Sequence, residues 1–264
     1  MPILSCFSEI TGHWGFNGTL NATIGQNLGW AWEKGDASFG TTDAFGISDI
    51  NGKTANVLKF TDSDDISDFA GIEVPHGAEL DEDSWLLHEY SIILDLLYPE
   101  DSTSSTRALV SNEYLGQAKI RINESDKVGG ASFHGKISAN TWHRVGIVVS
   151  HSNKTISYYI DGAKVGEESI GGLVDGQGKH SLEDFFNVFT TDGLSKAGYV
   201  NSLQFNNIAL PDSVLSDLGG ATAAGIPTVE PLKPYVVSVY PKPTPYLRPV
   251  PSEIQPDTEI SLIW

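Results

Sequence analysis

Apolar and polar positions alternate along this chain in short, strand-sized bursts. Trp142-His143-Arg144-Val145-Gly146-Ile147-Val148-Val149 is nearly all apolar after its first residues, the pattern of a strand buried on both faces. Thr155-Ile156-Ser157-Tyr158-Tyr159-Ile160 follows as a second strand, then Asp161-Gly162, a dipeptide that accepts the positive φ angles of a tight hairpin turn. Further strands are predicted at His13 to Phe16, Ala55 to Phe60, Tyr90 to Tyr98, Arg107 to Ser111 and Lys119 to Asn123. Three more are predicted at Ser132 to Ile137, Phe185 to Thr190 and Tyr199 to Asn206. Clusters of Gly, Asp, Asn and Ser separate them, as in an antiparallel sandwich. One short helix is predicted over Leu210 to Gly220: Pro211 suits its first turn and Gly219 its left-handed end.

The domain plan follows from where this pattern stops. Residues 1–9 read as an N-terminal extension and 10–225 as one β-sandwich, a size at which a single all-β core is common. Nine prolines lie at or beyond Pro227. Proline fixes φ and removes an amide donor, so residues 226–253 read as an extended linker, with a tail folded back along the sandwich as the alternative. Residues 254–264 alternate like the opening strand of a further domain, an immunoglobulin-like domain being one candidate.

The order of several segments resembles the laminin G-like, concanavalin A-like jelly rolls of bacterial secreted multidomain proteins. The segments are His13-Trp14-Gly15-Phe16, Phe39-Gly40-Thr41-Thr42, Asp49-Ile50-Asn51-Gly52, Trp142-His143, Tyr159-Ile160-Asp161-Gly162 and Gly198-Tyr199-Val200-Asn201. Leu218-Gly219-Gly220 and the Gly225-Ile226-Pro227 exit complete the series. The resemblance implies an all-β, antiparallel jelly-roll β-sandwich with one short helix. It also implies an accessory, non-catalytic binding or adhesion module, carbohydrate being the favoured ligand. A glycan hydrolase or lyase of the same fold and a structural spacer for a neighbouring catalytic domain are the two alternatives.

Charge narrows the partners. The formal net charge is -18, which argues against nucleic acid, whose phosphates need Lys and Arg, and against anionic membrane surfaces. The partners expected are a polysaccharide or glycoconjugate and neighbouring domains of the same chain, with no membrane insertion: the longest apolar runs are strand-sized. Cys6 is the only cysteine, so no internal disulfide is available. The expected setting is secreted or cell-surface, although Met1 to Phe7 lack the pattern of a signal peptide.

Candidate chemistry is sparse. Glu79-Leu80-Asp81-Glu82-Asp83 superficially matches the carboxylate strand of concanavalin A-like glycanases, but its flanks read as a solvated acidic loop. Gly130-Ala131-Ser132-Phe133-His134 lacks the final glycine of a nucleophile elbow, and Gly176-Gln177-Gly178-Lys179 lacks the spacing of a phosphate loop. His76, in a Pro-His-Gly loop, is the histidine whose context packing explains least. One structural calcium is an expectation, hard oxygen ligands suiting that ion. Asp49 and Asn51, in half of an EF-hand-like pattern, and Asp175 and Asp192, flanking the Phe185 strand, are its candidate ligands. For a glycan, the candidates are Asp95, Arg121, Tyr159 and Gln204. Asp95 lies in an apolar strand and needs a partner, which Arg121 could supply. If the four converge on one concave sheet they form a polar groove with an aromatic; otherwise the acid and base are a buried structural pair.

Overall fold

The computed structural model describes residues 10–31, 34–61, 71–111, 118–171, 173, 178, 180–190 and 194–228. Fifteen strands, two short α-helices and one 3-10 turn (Glu100–Ser102) follow one another through these residues. They are β1 (Ile10–Trp14), β2 (Gly29–Trp30), β3 (Ser38–Thr41), α1 (Thr42–Phe45), β4 (Asn56–Phe60), β5 (Ile72–Pro75), β6 (Glu89–Leu97) and β7 (Arg107–Ser111). Then come β8 (Ala118–Ile122), β9 (Val128–Gly129), β10 (Phe133–His134), β11 (His143–Ser150), β12 (Thr155–Ile160), β13 (Ala163–Ser169), β14 (Phe185–Val188), β15 (Gly198–Asn206) and α2 (Asp212–Leu218).

The strands form two antiparallel sheets. The first runs β13-β12-β11-β6-β15-β4-β3, with β1 also paired to β15; the second runs β10-β9-β8-β7-β14-β5-β2. Non-consecutive neighbours such as β6 and β15 make this a jelly-roll-like sandwich rather than a meander. The core lies between the sheets. Alternate residues Tyr90, Ile92, Leu94 and Leu96 of β6 and Val145, Ile147 and Val149 of β11 point into it from one side. Leu109, Ile120, Ile122, Phe186, Val188, Ile72 and Val74 meet them from the other.

The outer face of the first sheet is covered as well. Ile93, Val148 and Tyr159 point away from the core and pack under Leu210, Leu215, Leu218 and Ile226. This explains why β11 is apolar on both faces. Gly146 is the notch that seats the helix: a Cβ there would stand 2.8 Å from Leu215 Cδ1. The β12–β13 turn has the predicted form, with Asp161 at φ 52° and Gly162 at φ 82°. Its tip touches the end of α2, since a Cβ on Gly162 would meet Ser216 O and Gly219 Cα at 3.0 Å.

Most predicted strands appear within a residue or two of their expected bounds, but Ser132 to Ile137 shortens to Phe133–His134. The predicted helix appears as Asp212–Leu218, with Pro211 at its N-cap; Gly219 ends it with φ 59° but ψ -148°, a positive-φ conformation other than the expected left-handed helical one. Among the described residues, packing continues past the expected exit. Ile226 is buried, its N–H donates to Ser202 Oγ (3.0 Å), and its carbonyl lies 3.0 Å from His13 Nε2. The remainder of the Pro-rich stretch beyond residue 228, the 254–264 segment and the 1–9 extension lie outside the described residues. Among the described residues, no helix is long and apolar enough to cross a membrane.

Candidate functional site

Three of the four residues expected to meet a glycan share one face, but that face is roofed. Asp95, Tyr159 and Gln204 all point out of the first sheet, beneath the segment that runs from Ile208 to Ile226. Asp95 is 0% exposed, and its partner is Arg144 rather than Arg121. Arg144 Nε and Nη2 donate to its two carboxylate oxygens at 2.7 and 2.8 Å, and the same guanidinium donates to the Leu218 and Gly225 carbonyls at 2.5 and 3.1 Å. Tyr159 donates to Asp212 Oδ1 of α2 (2.6 Å), and Gln204 is buried opposite His13 in the β1–β15 ladder. Arg121 belongs to the second sheet, where its guanidinium lies 5.8 Å over the Phe133 ring. The four do not form one groove: the face is closed by the protein's own chain, and Arg121 is on the other layer.

The calcium candidates are also engaged elsewhere. Asp49 Oδ1 accepts from Thr42 Oγ1 at 2.6 Å, and the Asn51 amide donates to the Ala221 carbonyl at 2.9 Å. An Asn that turns its NH2 to a carbonyl and an Asp occupied by a hydroxyl do not present the converging oxygens that calcium requires. Asp175 and Asp192 lie outside the described residues. Among the described residues, no three His, Cys, Asp or Glu side chains gather as a metal site.

Among the described residues, two large hydrophobic side chains stand exposed, Leu173 and, more fully, Trp85. It is 73% exposed, and its backbone is left-handed at φ 57°, a conformation that costs a bulky L-residue about 1 kcal/mol. The turn carrying it is built from the acidic run. Asp81 Oδ1 accepts from the N–H groups of Asp83 (3.2 Å) and Ser84 (2.9 Å) and from Ser84 Oγ (2.9 Å). Those Ser84 bonds hold the Asp81 pKa below the usual aspartate value, so it stays an acceptor. Asp81 N and Trp85 N close the turn through the Leu86 and Asp81 carbonyls at 3.0 and 2.9 Å.

A polar chain anchors this turn to the sandwich. Because Ser84 Oγ gives its proton to Asp81, it must accept from His88 Nε2 at 3.0 Å. His88 Nδ1 then accepts from Ser181 Oγ (2.9 Å), which in turn accepts from His151 Nε2 (3.3 Å). Lys119 Nζ donates to the Ser181 carbonyl at 2.8 Å, and burial lowers its pKa to about 8.

Beside the turn lies an open groove of about 430 Å³, lined by Thr11, Gly77, Ala78, Glu79, Leu87 and Asn207. Glu79 and Leu87 of this lining flank the turn, and Leu87 is two residues along the chain from Trp85, a backbone reach of about 7 Å. His76 sets its wall from behind. The ring is fully buried, accepts from Ala78 N at Nδ1 (3.1 Å), and donates from Nε2 to the Glu183 carbonyl (2.5 Å). It stacks on Phe205 at 5.0 Å. Its context is therefore packing after all, and it positions the 76–78 loop rather than facing solvent. The groove offers hydroxyl, amide, peptide and carboxylate groups, and the turn that flanks it carries the exposed indole. Such a surface can stack a flat apolar face while exchanging hydrogen bonds with hydroxyls. The sequence signal for Trp85 was present but weak: a lone Trp inside a charged loop, where no strand needs it.

No protein-family model matches this chain, and no curated protein matches it either. Solved structures do. Domain 4 of AbnA, a GH43 extracellular arabinanase from Geobacillus stearothermophilus in complex with arabinotriose, aligns with a TM-score of 0.54 at 18% identity. The alignment covers 81% of this chain and 99% of that one. This chain is an antiparallel β-sandwich of jelly-roll type. The receptor-binding domain of botulinum neurotoxin type G aligns in two structures, with TM-scores of 0.51 and 0.53 at 11% and 14% identity. The alignments cover 79% and 80% of this chain and 50% of the receptor-binding-domain chain in each case.

Proposed function

We propose that this sandwich is a non-catalytic carbohydrate-binding module whose ligand stacks on Trp85 and lies in the adjoining polar groove. The carrying observation is the exposed, left-handed Trp85 on a turn braced by Asp81 and His88. A protein gains nothing in folding from holding an indole in water on strained backbone, whereas a sugar ring has an apolar face that an indole covers well. The fold likeness supports the class of ligand, since the AbnA domain that it matches over nearly its whole length is seen with arabinotriose. The setting belongs to the same proposal: an exported, multidomain protein in which polysaccharide is the partner.

The hydrolase alternative finds less support. A glycosidase pair needs one carboxyl held protonated and another opposed to it across the scissile bond. The Glu79 to Asp83 run forms a turn rather than an alternating strand, and Asp81 is consumed as its cap. The test is calorimetric titration with soluble arabinan, galactan, xylan and dextran, followed by assay for released reducing ends. Saturable binding that Trp85→Ala weakens at least about tenfold, without new reducing ends, supports the module. Failure of all four polymers to bind, or release of sugars, overturns it.

A further inference from the structure

We infer that the groove beside Trp85 selects uncharged glycans and rejects anionic ones. The inference rests on the carbohydrate-binding reading and specifies its ligand class. Its basis is the distribution of charge around the groove. Of the six lining residues, Glu79 is the only charged one, and no Lys or Arg is among them. The Trp85 turn adds Asp81, Glu82 and Asp83 on the same short stretch. Not one Lys or Arg occurs between Lys59 and Arg107, so the chain carrying the turn and one groove wall supplies no cation. Lys119, which reaches the polar chain behind the turn, donates to the Ser181 carbonyl. The His76 ring behind the wall is held neutral, since burial lowers its pKa below the ordinary value.

Recognition of a uronate, sialate or sulfate requires a donor with positive charge, most often the Arg fork. Here an incoming carboxylate or sulfate meets Glu79 in the groove and three more carboxylates within four residues of it, like charges whose repulsion is screened over a Debye length of about 8 Å. A neutral sugar suffers no such repulsion. Its hydroxyls can donate to the free carboxylate oxygens of Glu79, while its apolar face meets the indole. Charge of this sign therefore acts as a filter rather than as an attractor.

The experiment compares arabinan, galactan and dextran with carboxymethyl derivatives of the same three polymers, each titrated at low and high salt. The expected result is that the neutral polymer that binds does so at least about tenfold more tightly than its carboxymethyl derivative at low salt, the gap closing as salt rises. A variant carrying Glu79→Gln, Glu82→Gln and Asp83→Asn, with Asp81 kept to cap the turn, narrows that ratio at low salt. Trp85→Ala abolishes binding of both forms. Equal or tighter binding of the carboxymethyl polymer, lost in Trp85→Ala, overturns the charge filter and leaves the carbohydrate-binding reading standing. Binding of no polymer at all overturns that reading itself, and a ratio unmoved by the triple variant overturns the assignment to these carboxylates.

Discussion

Arg144 and Asp95 face each other across the β11–β6 ladder and are joined through both carboxylate oxygens, out of reach of water. The same guanidinium holds the Leu218 and Gly225 carbonyls, so one side chain ties the sheet to its C-terminal roof. Removing one partner strands the other's charge in the interior, where isolated charge is costly. Asp95→Ala and Arg144→Met are each expected to lose about 3–5 kcal/mol in urea unfolding. Asp95→Leu combined with Arg144→Met should recover part of that loss, because no charge is then left buried. A single-site loss below about 1 kcal/mol would mean that the pair is not what holds the roof.

Glu168 on β13 closes the open side of the sandwich. Its carboxylate accepts from the Gly130, Ala131 and Ser132 amides at 3.1, 2.8 and 3.0 Å and from the Tyr158 hydroxyl, joining the first sheet to the loop between β9 and β10. Bonds to an ionised acceptor count for about 1.5–3 kcal/mol each, so Glu168→Ala should cost at least about 3 kcal/mol. Hydrogen exchange should show the 130–132 amides deprotected first. Unchanged protection there would contradict the clasp.

Stability should fall on the acid side of neutrality through His76 and His13. Burial lowers the pKa of both below the ordinary 6.5, so the unfolded chain binds protons that the folded chain refuses. Their neutral forms fit the fold above that value, and the contribution is lost as pH drops from 6.5 toward each lowered value. Each unit of lowering is worth about 1.4 kcal/mol, to be read as a fall in the melting midpoint between about pH 7.5 and about pH 5.5. His76→Gln should flatten that slope while costing some stability at neutral pH. A slope identical to that of the parent protein would remove His76 from the account.

Trp85 should be dispensable for folding. Its side chain is exposed, so Trp85→Ala is expected within about 0.5 kcal/mol of the parent. Trp85→Gly should melt no lower than Trp85→Ala, because glycine adopts the left-handed backbone freely and offsets its greater unfolded entropy. A large destabilisation by either would show that the indole is structural.

At the hairpin tip, Gly162→Ala adds a Cβ against Ser216 O and Gly219 Cα, on backbone that disfavours one. A loss of about 1–2 kcal/mol is expected, measured by thermal unfolding. A neutral result would mean that the α2 end yields easily.

The fold could be read from the sequence because a strand's pattern is local. The unbroken apolar run of β11 correctly signalled cover on both faces, and Asp161-Gly162 signalled the turn that follows β12. What covers β11 could not be read, since the match of Leu215 to the Gly146 notch depends on a distant segment. The partner of Asp95 was visible in principle: Arg144 is the other full charge in an otherwise apolar strand. Choosing it over Arg121 required the strand order, which places β6 beside β11 and β8 in the other sheet. Trp85 escaped for a different reason. Periodicity separates inward from outward only within regular elements, and a turn has no period from which to read exposure.

The contact between His13 and the Ile226 carbonyl has a mechanical meaning. The first described strand and Ile226 both fasten to β15, at Gln204 and Ser202, so the two ends of the described sandwich lie side by side. A bead strung this way can be spliced into the loop of a host without prying that loop apart.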